Sequence, residues 1–270
     1  MSILICPFCG AALRREAHSF LCGGERRHCF DIAKSGYASL TRSSGTSGDD
    51  RDMVRARTAF LDKGYYAAFA DAVAAQTAPS EVVIDAGCGE GYYSTRIASR
   101  GCEVYGFDLS KHACDKAAKR AKAAGTDAFF GVASIFELPI ADESADAVVS
   151  LFAPIAEREF ARVLKPGGRL IVGAAGRKHL LELKQAIYDE AYENEGRRDL
   201  PAGFVPERQE RVTYTFDCAG EDLRPLFSMT PYVFKTSLAD AAKLDALPGL
   251  TITADFDLFI YKKQEKEGSQ

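Results

Sequence analysis

Two clusters in the first 110 positions carry the residue types that do chemistry. Cys6-Pro7-Phe8-Cys9-Gly10 sets two thiols either side of a two-residue gap. That gap lets both thiolates face one ion, the turn aims backbone N–H groups at the sulfurs, and Gly10 supplies the positive φ such a turn often uses. Twelve residues separate Cys9 from Cys22, and five separate Cys22 from His28. Cys6, Cys9, Cys22 and His28 thus make a Cys₃His set close to the spacing of tetrahedral zinc sites. Cys29 adjoins His28, and neighbours rarely ligate one ion. His28 is the favoured fourth ligand and Cys29 the alternative. Four protein ligands leave no place for water, so this zinc is expected to be structural. A redox pair or free thiols would not need the Cys22/His28 half, and His18 between the halves reads as a surface residue.

The second cluster is Asp85-Ala86-Gly87-Cys88-Gly89-Glu90-Gly91, at the end of a short apolar run. A chain turning sharply from strand to helix beneath a ligand needs glycines at the turn and at the closest approach. A nicotinamide fingerprint would place a further glycine at position 92, which is Tyr92. The pattern instead resembles the first motif of class I S-adenosylmethionine-dependent methyltransferases. Asp108, ending the next apolar run, matches their acid for the ribose diol, to which a carboxylate offers two acceptor oxygens. Lys165-Pro166-Gly167-Gly168 is also common in those enzymes.

Elements must hold these residues in place. Strands are expected at 81–85, 102–108, 128–132, 145–152 and 169–174, with helices at 51–62, 65–77, 92–100, 111–124, 157–164 and 178–193. Strands alternating with helices at this spacing imply an α/β fold, a doubly wound, Rossmann-like sheet. Strand alternation returns at 210–216 and 251–261, around a mostly helical stretch at 219–247. The polar run 43–52 reads as a linker between a zinc-ribbon-like head, residues 1–42, and a methyltransferase domain, residues 53–270. A head of roughly 40 residues is too small to fold well alone, so zinc is expected to staple it, and a chelator to melt it without unfolding the sheet.

The 270 residues are 47% apolar and 27% charged, which excludes a disordered chain, and the apolar runs are too short to cross a membrane. With no signal-peptide pattern at the start, a cytoplasmic protein is expected. The net charge of −4 hides a split: residues 1–57 hold nine Lys/Arg against six Asp/Glu, and the rest hold 25 against 32. A basic head on an acidic body fits a polyanion gripped at one end. Arg14, Arg15, Arg26, Arg27, Lys34, Arg42, Arg51, Arg55 and Arg57 are its candidate phosphate contacts. Phe8, Phe20 and Tyr37 are candidates for base stacking, although Phe8 and Phe20 also suit the head's core. Cys88, Cys102, Cys114 and Cys218 read as buried small apolar residues.

Several stretches together narrow the family: Cys6-Pro-x-Cys9, His28-x-Phe30-Asp31, Ala33-Lys34-x-Gly36-Tyr37, Ala59-Phe60-Leu61-Asp62-x-Gly64, the run from Asp85 to Tyr93, Ala153-Pro154 and Arg177-x-His179-Leu180. From about residue 3 to 262 the chain resembles the bacterial 23S rRNA guanine-N1 methyltransferases of the ribosomal large subunit methyltransferase A type, which include a macrolide-resistance branch. The resemblance implies a zinc head that helps recognise an rRNA hairpin, a Rossmann-like catalytic domain, and often a homodimer. It implies S-adenosylmethionine contacts from Tyr66, Asp85, Gly87, Gly89, Gly91, Tyr93, Ser94, Asp108 and His179. It implies zinc on Cys6, Cys9, Cys22 and His28, although the gap between Cys22 and His28 is about two residues longer than usual and keeps Cys29 in play.

Guanine N1 must lose a proton to accept a methyl group, so a general base or donors to O6 are expected, and the sequence names none. Phe152-Ala153-Pro154 is not the Asn/Asp-Pro-Pro-aromatic motif of exocyclic-amine methyltransferases, which agrees with a ring nitrogen as acceptor. Two other functions compete. One is a small-molecule methyltransferase with an unrelated zinc head. The other is a zinc RNA-binding module on an inactive methyltransferase fold, which would require a broken glycine loop.

Overall fold

A computed structural model of the protein describes residues 3–42, 50–196 and 200–265. The chain opens with β1 (Leu13–Arg15), β2 (Ser19–Cys22) and β3 (Cys29–Asp31), a small antiparallel sheet, followed by β4 (Ala38–Ser39). Next come α1 (Arg51–Asp62), α2 (Ala67–Ala74), β5 (Val82–Ala86), α3 (Tyr92–Ala98), β6 (Glu103–Asp108), α4 (Lys111–Ala124) and β7 (Phe129–Val132). The rest runs β8 (Ala145–Leu151), α5 (Glu157–Val163), β9 (Leu164–Ala175), α6 (Leu181–Ile187), β10 (Phe204–Ala219), α7 (Gly220–Ser228), α8 (Leu238–Ala242) and β11 (Gly249–Lys263).

Local chemistry sets these boundaries. α1 starts at Asp50, whose carboxylate accepts the Met53 N–H at 2.8 Å. α4 starts where Ser110 Oγ accepts the Ala113 N–H at 3.2 Å and stops at Gly125, φ +66°. Its buried side is Ala113, Cys114, Ala117, Ala118 and Ala121, a helical stripe of small residues. β5 is the continuous run Val-Val-Ile-Asp-Ala and is buried on both faces, as the central strand of a parallel sheet must be.

The large sheet has eight strands in the order β10-β11-β9-β8-β5-β6-β7-β4. β9, β8, β5, β6 and β7 are mutually parallel, the expected doubly wound core. From β5 the chain steps to β6 and β7 on one side and to β8 and β9 on the other. That reversal opens a crevice at the strands' carboxyl ends, where ligands bind in such sheets. A long antiparallel hairpin, β10 with β11, closes the far edge against β9.

β4 pairs parallel with β7, Ala38 opposite Gly131 and Ser39 opposite Val132. The head thus contributes the outermost strand of the catalytic sheet. Leu4, Leu13, Phe20 and Phe30 pack into one apolar cluster with Ile84, Phe107 and Val148 of the sheet. Phe20 meets Phe129 edge to face at 5.4 Å. Burial of a side chain of that size contributes about 2–3 kcal/mol, so Phe20 is a single point at which head and sheet could be pulled apart.

The expected helix over 178–193 shortens to Leu181–Ile187. Lys184 explains the stop: its buried Nζ donates to Tyr192 O at 2.9 Å and Asn194 Oδ1 at 2.6 Å, drawing residues 188–194 back over α6. Of the expected linker over 43–52, Asp50 caps α1 and Arg51 and Asp52 belong to it, while 43–49 lie outside the described residues.

Candidate active site and metal centre

The head brings its four expected ligands together. Cys6, Cys9, Cys22 and His28 place their donor atoms within 4.8 Å of one another. His28 Nδ1 lies 3.3 Å from Cys6 Sγ and 3.7 Å from Cys9 Sγ, and Cys9 and Cys22 sulfurs are 3.2 Å apart. Zn–S bonds of ~2.3 Å and Zn–N bonds of ~2.0 Å in a tetrahedron imply edges of roughly 3.4–3.8 Å, so the donor set fits zinc. Cys29 is exposed on β3 and stands outside the cluster, which agrees with His28 in the fourth position. Gly10 adopts φ +71° in the first turn, as that turn requires. The Gly24 N–H donates to Cys22 Sγ at 3.3 Å and, with His28, holds that thiol down to about 6, which favours the metal-binding thiolate. Four protein ligands fill the shell, and the zinc is structural.

The crevice at the carboxyl ends of β5 and β6 is a cavity of about 910 Å³. Asp85, Gly87, Gly89 and Asp108 line one part of it; Tyr66, Tyr93 and His179 line another. Gly87 and Gly89 take φ +84° and +51°, and a Cβ on Gly87 would lie 2.8 Å from Ala153 Cβ. Gly91 and Ser94 stand behind this wall. A Cβ on Gly91 would strike Ala117 at 2.7 Å, so that glycine sets the packing of the loop on α4.

Ser94 Oγ donates to Asp85 Oδ2 at 2.5 Å, and burial pushes the Asp85 carboxyl up to about 7. Asp108 accepts the Gly89 N–H at 3.0 Å and the Ser110 N–H at 2.8 Å, which locks its carboxylate at the rim. A glycine cradle with a fixed carboxylate beside it suits the ribose and cationic end of S-adenosylmethionine.

Tyr66 and His179 meet inside the cavity. His179 Nδ1 accepts the Asp255 N–H at 3.3 Å, so the ring proton sits on Nε2, 3.3 Å from Tyr66 Oη. Burial holds His179 down to about 3, and it stays neutral. With His179 donating, the Tyr66 hydroxyl can donate to a ligand.

Arg57 belongs here rather than to the phosphate-binding surface. Its Nε is 2.5 Å from Glu90 Oε2, with Glu90 buried and Arg57 partly buried over the glycine loop. Arg14, Arg15, Arg26 and Arg27 are exposed, while Arg42 is drawn to Glu137 at 3.2 Å and to the Pro7 carbonyl. Phe20 is core; Phe8 is half-exposed, stacked on His28 at 5.1 Å. Cys88, Cys102, Cys114 and Cys218 are buried as expected.

Fold, glycine loop and rim carboxylate define a class I methyltransferase carrying a zinc ribbon. A family model described as "Methyltransferase domain" matches residues 83–168, and one described as "RlmA, N-terminal" matches residues 4–41. The YcgJ protein of Bacillus subtilis has a similar fold, with TM-score 0.52 and 15% identity over 74% of this chain and 100% of that chain. The 23S rRNA (guanine(748)-N(1))-methyltransferase of Streptomyces fradiae is 32% identical over 262 residues, 92% of this chain and 91% of the relative. YxjB of Bacillus subtilis (strain 168), provisionally named for the same guanine-N1 chemistry, is 26% identical over 97% of this chain and 98% of its own. The chain belongs to the 23S rRNA (guanine-N1)-methyltransferase family. Among the described residues no helix is long and apolar enough to cross a membrane.

Proposed function

We propose that the protein moves a methyl group from S-adenosylmethionine to N1 of a guanine in a 23S rRNA hairpin. It does so in the cytoplasm and as a homodimer. Residues 1–42 serve as the zinc-stapled RNA-recognition head, the segment after it connects it to α1, and the chain from Arg51 onward carries out catalysis, the expected boundary at 53 moving to the start of α1. Tyr66, Asp85, Gly87, Gly89, Tyr93, Asp108 and His179 hold the methyl donor, with Gly91 and Ser94 shaping the loop behind them.

One observation carries this reading: the cavity that holds the glycine loop and Asp108 is also rimmed by exposed aromatic rings. Phe136, Phe152 and Phe234 line it and are 63%, 51% and 78% exposed. Unpaired RNA bases stack on such rings. Phe152 takes φ +55°, a left-handed conformation that is strained for a residue with a Cβ. Its N–H donates to Gly173 O at 3.0 Å, which holds the ring at the carboxyl end of β8.

When bound, S-adenosylmethionine supplies a methyl group already activated by the sulfonium, so the protein's task is chiefly alignment and exclusion of water. Asp85 and Asp108 orient the donor, and the aromatic rim holds the base flat. Mass mapping of 23S rRNA from a strain lacking this gene tests the proposal. One guanine methylation should be lost and should return with the intact gene; an unchanged methylation map would refute it.

A further inference from the structure

We propose that Glu195 accepts the proton that guanine N1 must lose. This rests on the guanine-N1 reading above and names the base that reading lacks. The carboxylates of the cavity wall are Asp85, Glu90, Asp108 and Glu195. Three are committed. Asp85 takes the Ser94 hydroxyl, Glu90 takes Arg57, and Asp108 takes the Gly89 and Ser110 amides. Glu195 is exposed to the cavity and makes no hydrogen bond or ion pair among the described residues.

Its neighbour explains how so bare a side chain is aimed. Residues 188–196 have neither helix nor strand, yet Asn194 is held on five sides. Its N–H donates to Arg177 O at 2.8 Å, and its Nδ2 to Gly176 O at 2.9 Å and His179 O at 3.1 Å. Its Oδ1 accepts from Lys184 Nζ at 2.6 Å and Tyr232 Oη at 3.2 Å. Lys184 is itself fully buried, with Nζ 4.8 Å from the Tyr192 ring centroid and 5.3 Å from that of Tyr232. An irregular segment bolted down at one residue presents the next residue at a fixed place. That next residue is the uncommitted carboxylate.

The remaining titratable and charged groups on the wall do not suit the role. His179 is neutral, with Nδ1 occupied by the Asp255 amide and Nε2 by Tyr66. Burial raises the Cys88 thiol and the Tyr66, Tyr93 and Tyr232 hydroxyls, which keeps them protonated. Arg57 has no acceptor atom. Beside the loop, Arg177 pairs with Glu193 at 2.9 Å, and Lys184 is engaged with Asn194. In the step itself the N1–H proton passes to a Glu195 oxygen and the N1 lone pair forms the new bond to the methyl carbon. The carbon–sulfur bond breaks, its electron pair stays on sulfur, and the proton leaves Glu195 to water.

The test uses the full zinc-loaded chain, S-adenosylmethionine and an unmodified 23S rRNA transcript under single-turnover conditions. Glu195→Gln should lose about 10²-fold or more of the transfer rate at saturating RNA, the scale of general-base catalysis. Its affinity for S-adenosylmethionine, read by calorimetry, should stay within about twofold of wild type, which also shows that it folds. Glu195→Asp should recover part of the rate, and added formate should rescue Glu195→Ala. An unchanged rate in Glu195→Gln would overturn the proposal, as would a higher KM for RNA at unchanged kcat, lost cofactor binding, or no rescue by formate. Wild-type protein that puts no methyl on guanine N1 would instead bring down the guanine-N1 reading, and this inference with it.

Discussion

Arg57 Nε and Glu90 Oε2 lie 2.5 Å apart, tying α1 to the glycine loop 33 residues further on. The Glu90 carboxylate is only 3% exposed. Removing one partner of such a pair leaves a buried, uncompensated charge, at a cost of about 3–5 kcal/mol when burial is complete. Arg57→Ala should therefore lower the melting temperature and weaken S-adenosylmethionine binding, because the loop is the proposed cofactor cradle. The salt dependence of RNA binding should stay as it is. A variant with wild-type stability and a shallower salt slope would return Arg57 to the RNA surface.

Asp85 predicts a pH dependence. Its folded value of about 7 lies above the ordinary value near 4. Between these values the folded protein keeps a proton that the unfolded chain releases, so this group's contribution to stability falls as pH rises through that window. A cationic donor at Asp85 needs the carboxylate, so binding below pH 7 must release the proton. Calorimetry should show affinity for S-adenosylmethionine falling by up to about tenfold per pH unit below 7 and levelling off above it. Equal affinity at pH 5.5 and 8 would mean that Asp85 does not face the donor's charge.

The parallel core and its connections were readable from the sequence because each strand there is a short apolar run, and α1 and α4 each pair a capping side chain with an apolar stripe. The 111–124 helix, with Ser110 before it and Gly125 after it, is the clearest case. The zinc set was readable because thiol and imidazole spacing is local chemistry. What escaped depends on contacts between distant segments. Arg57 looks like one more basic residue until Glu90 is folded against it. Residues 188–193 have helical periodicity, and only Lys184 reaching to Tyr192 and Asn194 shows why the helix ends early. Glu195 carried no motif. The head looked separable because its cysteines are contiguous, whereas β4 on the edge of the large sheet is a tertiary fact.

That edge strand changes what metal removal should do. Cys6 and Cys22 sit in the same apolar cluster as Ile84 and Phe107. Chelation should shift a single thermal transition downward and weaken cofactor binding as well, rather than melt a separate head. Calorimetric scans with and without chelator check this. Two transitions, with the sheet's unmoved, would restore an independent head.

The RNA surface is testable through salt. Arg14, Arg15, Arg26 and Arg27 are all exposed, and Arg14 has only an exposed pairing with Glu16 at 2.9 Å, an interaction of small worth. Changing all four to Ala should reduce the magnitude of the salt slope by about 3–4 if each contacts a phosphate of a duplex stem, at ~0.9 per contact. Saturating RNA should restore much of the transfer rate, and S-adenosylmethionine binding should be unaffected. An unaltered slope would move the RNA-binding surface onto the catalytic domain.

The central claim is methyl transfer to guanine N1, and one measurement addresses it directly. Purified protein is incubated with unmodified 23S rRNA transcript and radiolabelled S-adenosylmethionine, and the RNA is digested to nucleosides and separated. The account predicts that the label runs as 1-methylguanosine and maps to a single hairpin. Label in any other nucleoside, or none in RNA from protein that binds S-adenosylmethionine, would contradict it.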